Sequence, residues 1–194
     1  PARCFLGIQP GHRHFRDLKE GSQIHAIEGV LIYRFSSNLF FANIQVLERD
    51  IEDALQNDTK AVILDASGIG SMDITAADRL GSLYQSLKKK GIRFYMTEHI
   101  AELNEQLRKL GLGYMIEEGS VRRTIHIALK DMEIRRPYPL AGGVDNEERS
   151  ASRKRADNRV QEFVWAFGSD TEAQIEKQIL KQIEQLKKDG NVEE

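Results

Sequence analysis

Apolar residues follow two rhythms along the first 139 positions. Four short runs, RCFLGI (3–8), GVLIYRF (29–35), AVILDA (61–66) and IRFYMTE (92–98), are rich in β-branched or aromatic residues and bounded by glycine or polar turns, which predicts strands. Elsewhere the apolar spacing is three or four, which predicts helices. Residues 43–56 put Ile44, Leu47, Ile51 and Leu55 on one stripe. Residues 75–91 do the same with Ala76, Leu80, Leu83 and Leu87, then end in Lys88, Lys89, Lys90 and Gly91, as a helix C-terminus favours. Two further helices are expected over 99–111 and 120–132. Strands alternating with helices, several of them apolar on both faces, predict an α/β fold. The sheet is expected to have four or five strands, mostly parallel, with helices mainly on one side.

The pattern breaks at Leu140. The stretch AGGVDNEERSASRKRADNR has almost no large apolar residue and many charges of both signs, so 140–169 reads as a charged linker. Its basic part suits either a solvated linker or contact with anionic lipid headgroups, and the acids just before it favour the linker. Residues 170–194 then predict an amphipathic C-terminal helix with Ile175, Ile179, Ile183 and Leu186 on one face, started by Asp170 or Thr171. A stripe that short needs a partner surface, either the chain's own domain or a second copy.

Composition narrows the class. With 194 residues, 40% hydrophobic and 30% charged, the chain can build one domain plus an appendage. A formal net charge of −2 gives no case for nucleic acid, and a single cysteine excludes an internal disulfide framework. No apolar run approaches the ~18–20 residues that cross a bilayer, so this stretch by itself reads as soluble.

Candidate chemistry concentrates in LDASGIGSMDITAADRL (64–80). A phosphate-binding loop would need a lysine after the glycines and a dinucleotide loop a third glycine at the helix start; Met72, Asp73 and Ile74 stand there instead. Asp73 is a good N-cap for amides of Thr75 or Ala76, and Asp65 and Ser67 can tie the loop locally. Thr75, in the first turn, is placed to carry a phosphate beside unpaired amides, with Asp73 opposing it. Elsewhere the signals are structural. His12 and His14 have no third ligand at useful spacing, His25 and His99 stand alone, and His126 lies on an apolar stripe. Cys4 sits in a strand with no base beside it. No catalytic triad or carboxylate pair can be argued from spacing, so an enzyme is not expected, nor a cofactor or metal.

The stretch from AVILDASGIGSMDITAADRL to RKLGL resembles a STAS domain, the fold of bacterial anti-sigma factor antagonists and of the cytoplasmic tail of SulP-type anion transporters. Asp65 and Ser67 match the family's Asp-x-Ser strand end, and Asp73 and Thr75 match its helix start. LGIQPGHRHFRDL followed by EGVLIYRFSSNLFFAN resembles the transporter branch in particular. The resemblance spans roughly residues 3–132, with the STAS domain set at 1–139. Ile74 and Ala76 depart from the antagonist pattern of Ser and Gly around the phosphorylatable slot.

The resemblance implies the regulatory and interaction domain of a sulfate, bicarbonate or dicarboxylate transporter, at the cytoplasmic face of a membrane. A membrane domain is expected upstream of Pro1. Further partners it implies are a second copy and a nucleotide or acyl-carrier-type protein. The competing reading is a stand-alone antagonist switched by phosphorylation of Thr75. The loop that opens with Phe40 and Phe41, at least one of them expected in the core, is placed beside the Asp73 loop. The binding surface is accordingly set at Asn38, Phe41, Ser67, Gly68, Asp73 and Thr75.

Overall fold

The computed structural model describes residues 3–144. The expected helix over 170–194, and the linker beyond Val144, lie outside the described residues. Five strands form one sheet: β1 (Arg3–Ile8), β2 (Phe15–Asp17), β3 (Val30–Phe35), β4 (Ala61–Asp65) and β5 (Arg93–Thr97). The spatial order is β2-β1-β3-β4-β5. The first three strands of that order pair antiparallel, whereas β3, β4 and β5 pair parallel. The sheet is therefore mixed, with its parallel part where strands alternate with helices.

Those helices are α1 (Ile44–Ala54), α2 (Ile74–Lys89), α3 (Ala101–Lys109), α4 (Gly113–Glu117) and α5 (Ile125–Asp131). Side chains alternate across the sheet, so β1, β3, β4 and β5 each serve two cores. On one face Tyr33, Phe35, Val62, Leu64, Phe94 and Met96 meet the apolar stripes of α1 to α4. On the other, Leu6, Ile8, Ile32, Ile63 and Tyr95 meet α5 and the segment that follows it, with Tyr138 and Leu140. All five residues of β4 are buried, as a strand covered on both sides requires.

Three features differ from the pattern of the sequence. Strand β2 is three residues long and has no alternation to reveal it. Helix α4 has a single fully buried residue, Met115, and so no periodicity of its own. The helix expected over 120–132 begins only at Ile125, because Ser120 to Arg123 are used against the outer edge of β5. Met96 N donates to Ser120 O at 2.8 Å and Arg122 N to Met96 O at 2.9 Å.

Candidate functional site

The loops that follow β3 and β4 leave the same end of the sheet, the carboxyl end of its parallel strands, where open α/β sheets bind their ligands. The chain pins them together by backbone pairing. Leu39 N donates to Ser71 O and Asp73 N to Leu39 O, both at 3.0 Å, and Leu39 fills the core beneath. Asn38 reinforces this: its Oδ1 accepts from Gly70 N (2.9 Å) and Ser71 N (3.0 Å). Asn43 holds the other side, accepting from Phe40 N at 2.9 Å and donating to Asn38 O at 2.7 Å.

Asp73 joins the two helix starts. One carboxylate oxygen caps α2 by accepting from Ala76 N at 2.7 Å, and the other accepts from Phe41 N at 3.0 Å. Gly68 is where the loops touch most closely. A Cβ there would lie 2.4 Å from Ser36 Cα, so no larger residue fits without moving backbone. Below the loop, Asp65 is buried, and its charge is balanced by Arg34 Nε at 2.8 Å and by Ser67 N at 3.0 Å.

Of the residues expected at the site, Asn38, Phe41, Gly68 and Asp73 are thus tied into one unit. Ser67 and Thr75 lie on its rim, both exposed and neither side chain hydrogen-bonded among the described residues. The expectation that Phe40 or Phe41 enters the core is corrected: they are 41% and 68% exposed. Leu39 takes the buried position, and the Asn43 bond to Phe40 N turns the chain along the surface. Two residues go unnoticed in the sequence. Gln106 of α3 accepts from Met72 N at 3.0 Å and donates to Gly70 O at 3.2 Å, buttressing the loop from behind. Arg34 supplies the counter-charge to Asp65. Neither belongs to an apolar pattern, so no periodicity marks them.

Exposed apolar residues gather at this end. Phe40, Phe41, Ile74 and Ile100 are four of the five large hydrophobic residues exposed among the described residues, and all four lie in or just after loops leaving this end. A cleft of about 820 Å³ beside β5 has another character. There Lys88 holds Glu118 at 2.8 Å, and Arg122 holds Asp131. Burial and the neighbouring Glu118 carboxylate push the Tyr84 phenol up, while the Lys88 and Tyr84 hydrogen bonds hold Glu118 down. Four of its five charged side chains are thus matched in pairs, and the fifth, Arg93, donates to the Asp131 carbonyl at 3.5 Å. Cys4 is half-buried, and burial followed by the nearby Asp17 raises its thiol above the ordinary range, which makes it a poor nucleophile. Among the described residues no cluster of three or more potential metal ligands occurs.

Comparison with known proteins bears on the family and the fold. A family model described as STAS domain matches residues 22–128. Over 133 residues the chain is 29% identical to a probable sulfate transporter of Mycobacterium tuberculosis, covering 67% of this chain and 24% of that protein. The chain spans about a quarter or less of the length of the curated relatives it matches. Among solved structures, murine solute carrier 26 family member A9, an anion transporter in the inward-facing state, aligns with a TM-score of 0.59 and 20% identity. That alignment covers 69% of this chain and 22% of the murine one. A sulfate transporter family protein from Wolinella succinogenes aligns with a TM-score of 0.51 and 22% identity, over 61% of this chain and 96% of that one. At these identities the two structures show a shared fold.

Proposed function

The chain belongs to the STAS domain family, and from that premise we propose that it is the regulatory and interaction domain of a SulP-type secondary anion transporter. It docks on the transporter's own membrane domain, at the cytoplasmic face, and acts by binding, without catalysis. The docking end is the one built from Asn38, Phe41, Ser67, Gly68, Asp73 and Thr75.

One observation carries this reading. The antiparallel pairing of β1 with β3 sets Arg3 opposite Phe35, so the chain enters the domain at the end that exposes Phe40, Phe41, Ile74 and Ile100. A segment arriving from an upstream membrane domain would reach that apolar surface first. Exposed apolar residues on a rigid, hydrogen-bonded base mark contact surfaces, since holding the base in advance lowers the entropy cost of docking. Thr75 sits beside Ile74 at the rim, so a phosphate there would bring about two negative charges to the contact and oppose it.

The test is anion uptake by the full-length transporter reconstituted in vesicles. Phe41→Asp combined with Ile74→Asp is expected to lower uptake at least about tenfold while the thermal melt of the domain stays unchanged, because both side chains are exposed. Uptake equal to wild type would reject docking through this end.

A further inference from the structure

A second surface lies off the other end of β1. Residues 9–14 connect Ile8 to Phe15, at the end of the strand away from Arg3. Two bonds hold their backbone in place. His126 Nε2 lies 3.0 Å from Arg13 O, and Arg136 Nη2 donates to His12 O at 2.8 Å. Since a carbonyl can only accept, Nε2 carries the proton, and His126 Nδ1 accepts from the Tyr138 hydroxyl at 2.6 Å. The His126 ring stacks on Tyr138 at 6.0 Å and tilts against Phe15 at 5.1 Å. The loop is thereby fixed to α5 and to the segment after it.

This arrangement gathers three guanidinium groups beside two histidines. His12, Arg13 and His14 on the loop, and Arg135 and Arg136 on the segment after α5, are all exposed. None of the five forms an ion pair among the described residues. Three carboxylates on the adjoining elements are engaged elsewhere: Glu20 with Arg16 at 2.8 Å, Asp131 with Arg122, and Glu98 with the Ile125 amide at 2.9 Å. Glu133, two residues before Arg135, pairs with none of them. A surface of mixed charge ordinarily intersperses both signs.

We propose that this loop and segment form a recognition surface for an acidic peptide segment of a partner protein, with Arg13 and Arg135 as its principal contacts. Guanidinium groups match carboxylates in two-pronged pairs, and a backbone already held by His126 and Arg136 presents them with little ordering cost. Nucleic acid is disfavoured because the rings here, Phe15 and Tyr138, are spent on His126 and offer no stacking platform. A lipid surface is disfavoured because the apolar residues that would anchor it lie mainly off the opposite end of the sheet.

The experiment titrates the chain with a short fluorescein-labelled oligo-glutamate peptide, followed by anisotropy. Saturable binding is expected at about 0.05 M salt, largely lost near 0.5 M. Arg13→Glu with Arg135→Glu should weaken it at least about tenfold, whereas Arg49→Glu with Lys109→Glu, an equal charge change elsewhere on the surface, should leave it within about twofold. Thermal melts of both variants verify folding. Absent binding, or equal loss in the two variants, overturns the proposal. So does binding to phosphatidylserine vesicles, with the same sensitivity to the variants, when the peptide does not bind; the surface would then serve a membrane.

Discussion

Replacing Asp73 by alanine removes one carboxylate that serves two loops. The bond to Ala76 N is a helix cap, and losing such a cap costs about 1 kcal/mol. The bond to Phe41 N lies at an exposed position where water can replace it, so its loss adds about 0.5–1 kcal/mol. The sum, roughly 1.5–2 kcal/mol, should lower Tm by about 5–7 °C for a domain of this size. Asp73→Ser should recover about half, because a hydroxyl can cap Ala76 but is too short to reach Phe41 as well. Hydrogen exchange supplies the local readout: the amides of Phe41 and Ala76 should exchange faster in Asp73→Ala, ahead of the rest of α2. A melt within about 1 °C of wild type, or acceleration spread evenly over α2, would refute the bridging role.

Three other outcomes follow from the same geometry. Gly68→Ala forces a Cβ to 2.4 Å from Ser36 Cα, so the denaturant midpoint should drop by the equivalent of about 2 kcal/mol, far beyond an ordinary surface change. Gln106→Leu leaves Met72 N and Gly70 O without their partner and should cost about 1–2 kcal/mol in urea unfolding, with enhanced exchange at Met72. Burial holds His99 and His126 below the ordinary histidine range, so the unfolded chain takes up these protons at higher pH than the folded one. Their contribution is whole above about pH 6.5 and is lost as pH falls, so the urea midpoint should decline from about pH 7 to about pH 5, less steeply in His126→Gln.

Much of the fold was legible because its elements bury what their periodicity displays. The alternation in VLIYRF (30–35) and the continuous AVILD (61–65) become a strand facing two cores and a strand buried on both faces. Ile44, Leu47 and Ile51 are buried, as are Ala76, Leu80, Leu83 and Leu87. Backbone pairing leaves no such trace. Ser120 to Arg123 read as the start of a helix, yet the open edge of β5 claims them, a long-range demand that local spacing does not encode. The site divides the same way. Asp73 announces itself as a cap, but its second bond, to Phe41 N, depends on two loops meeting. Phe40 and Phe41 look like core residues by type, and only the placement of Leu39 reveals that they face solvent.

Docking of the Phe41 end on a membrane domain of the same polypeptide can be read out directly. The most direct measurement places a photo-activatable benzoyl-phenylalanine at position 41 of the full-length protein in membranes and maps its cross-links by mass spectrometry, with the same probe at the exposed Gln85 of α2 as reference. Cross-links are expected from position 41 into the membrane-embedded part, and few from position 85. Equal yields from both, or none from position 41, would contradict docking through this end.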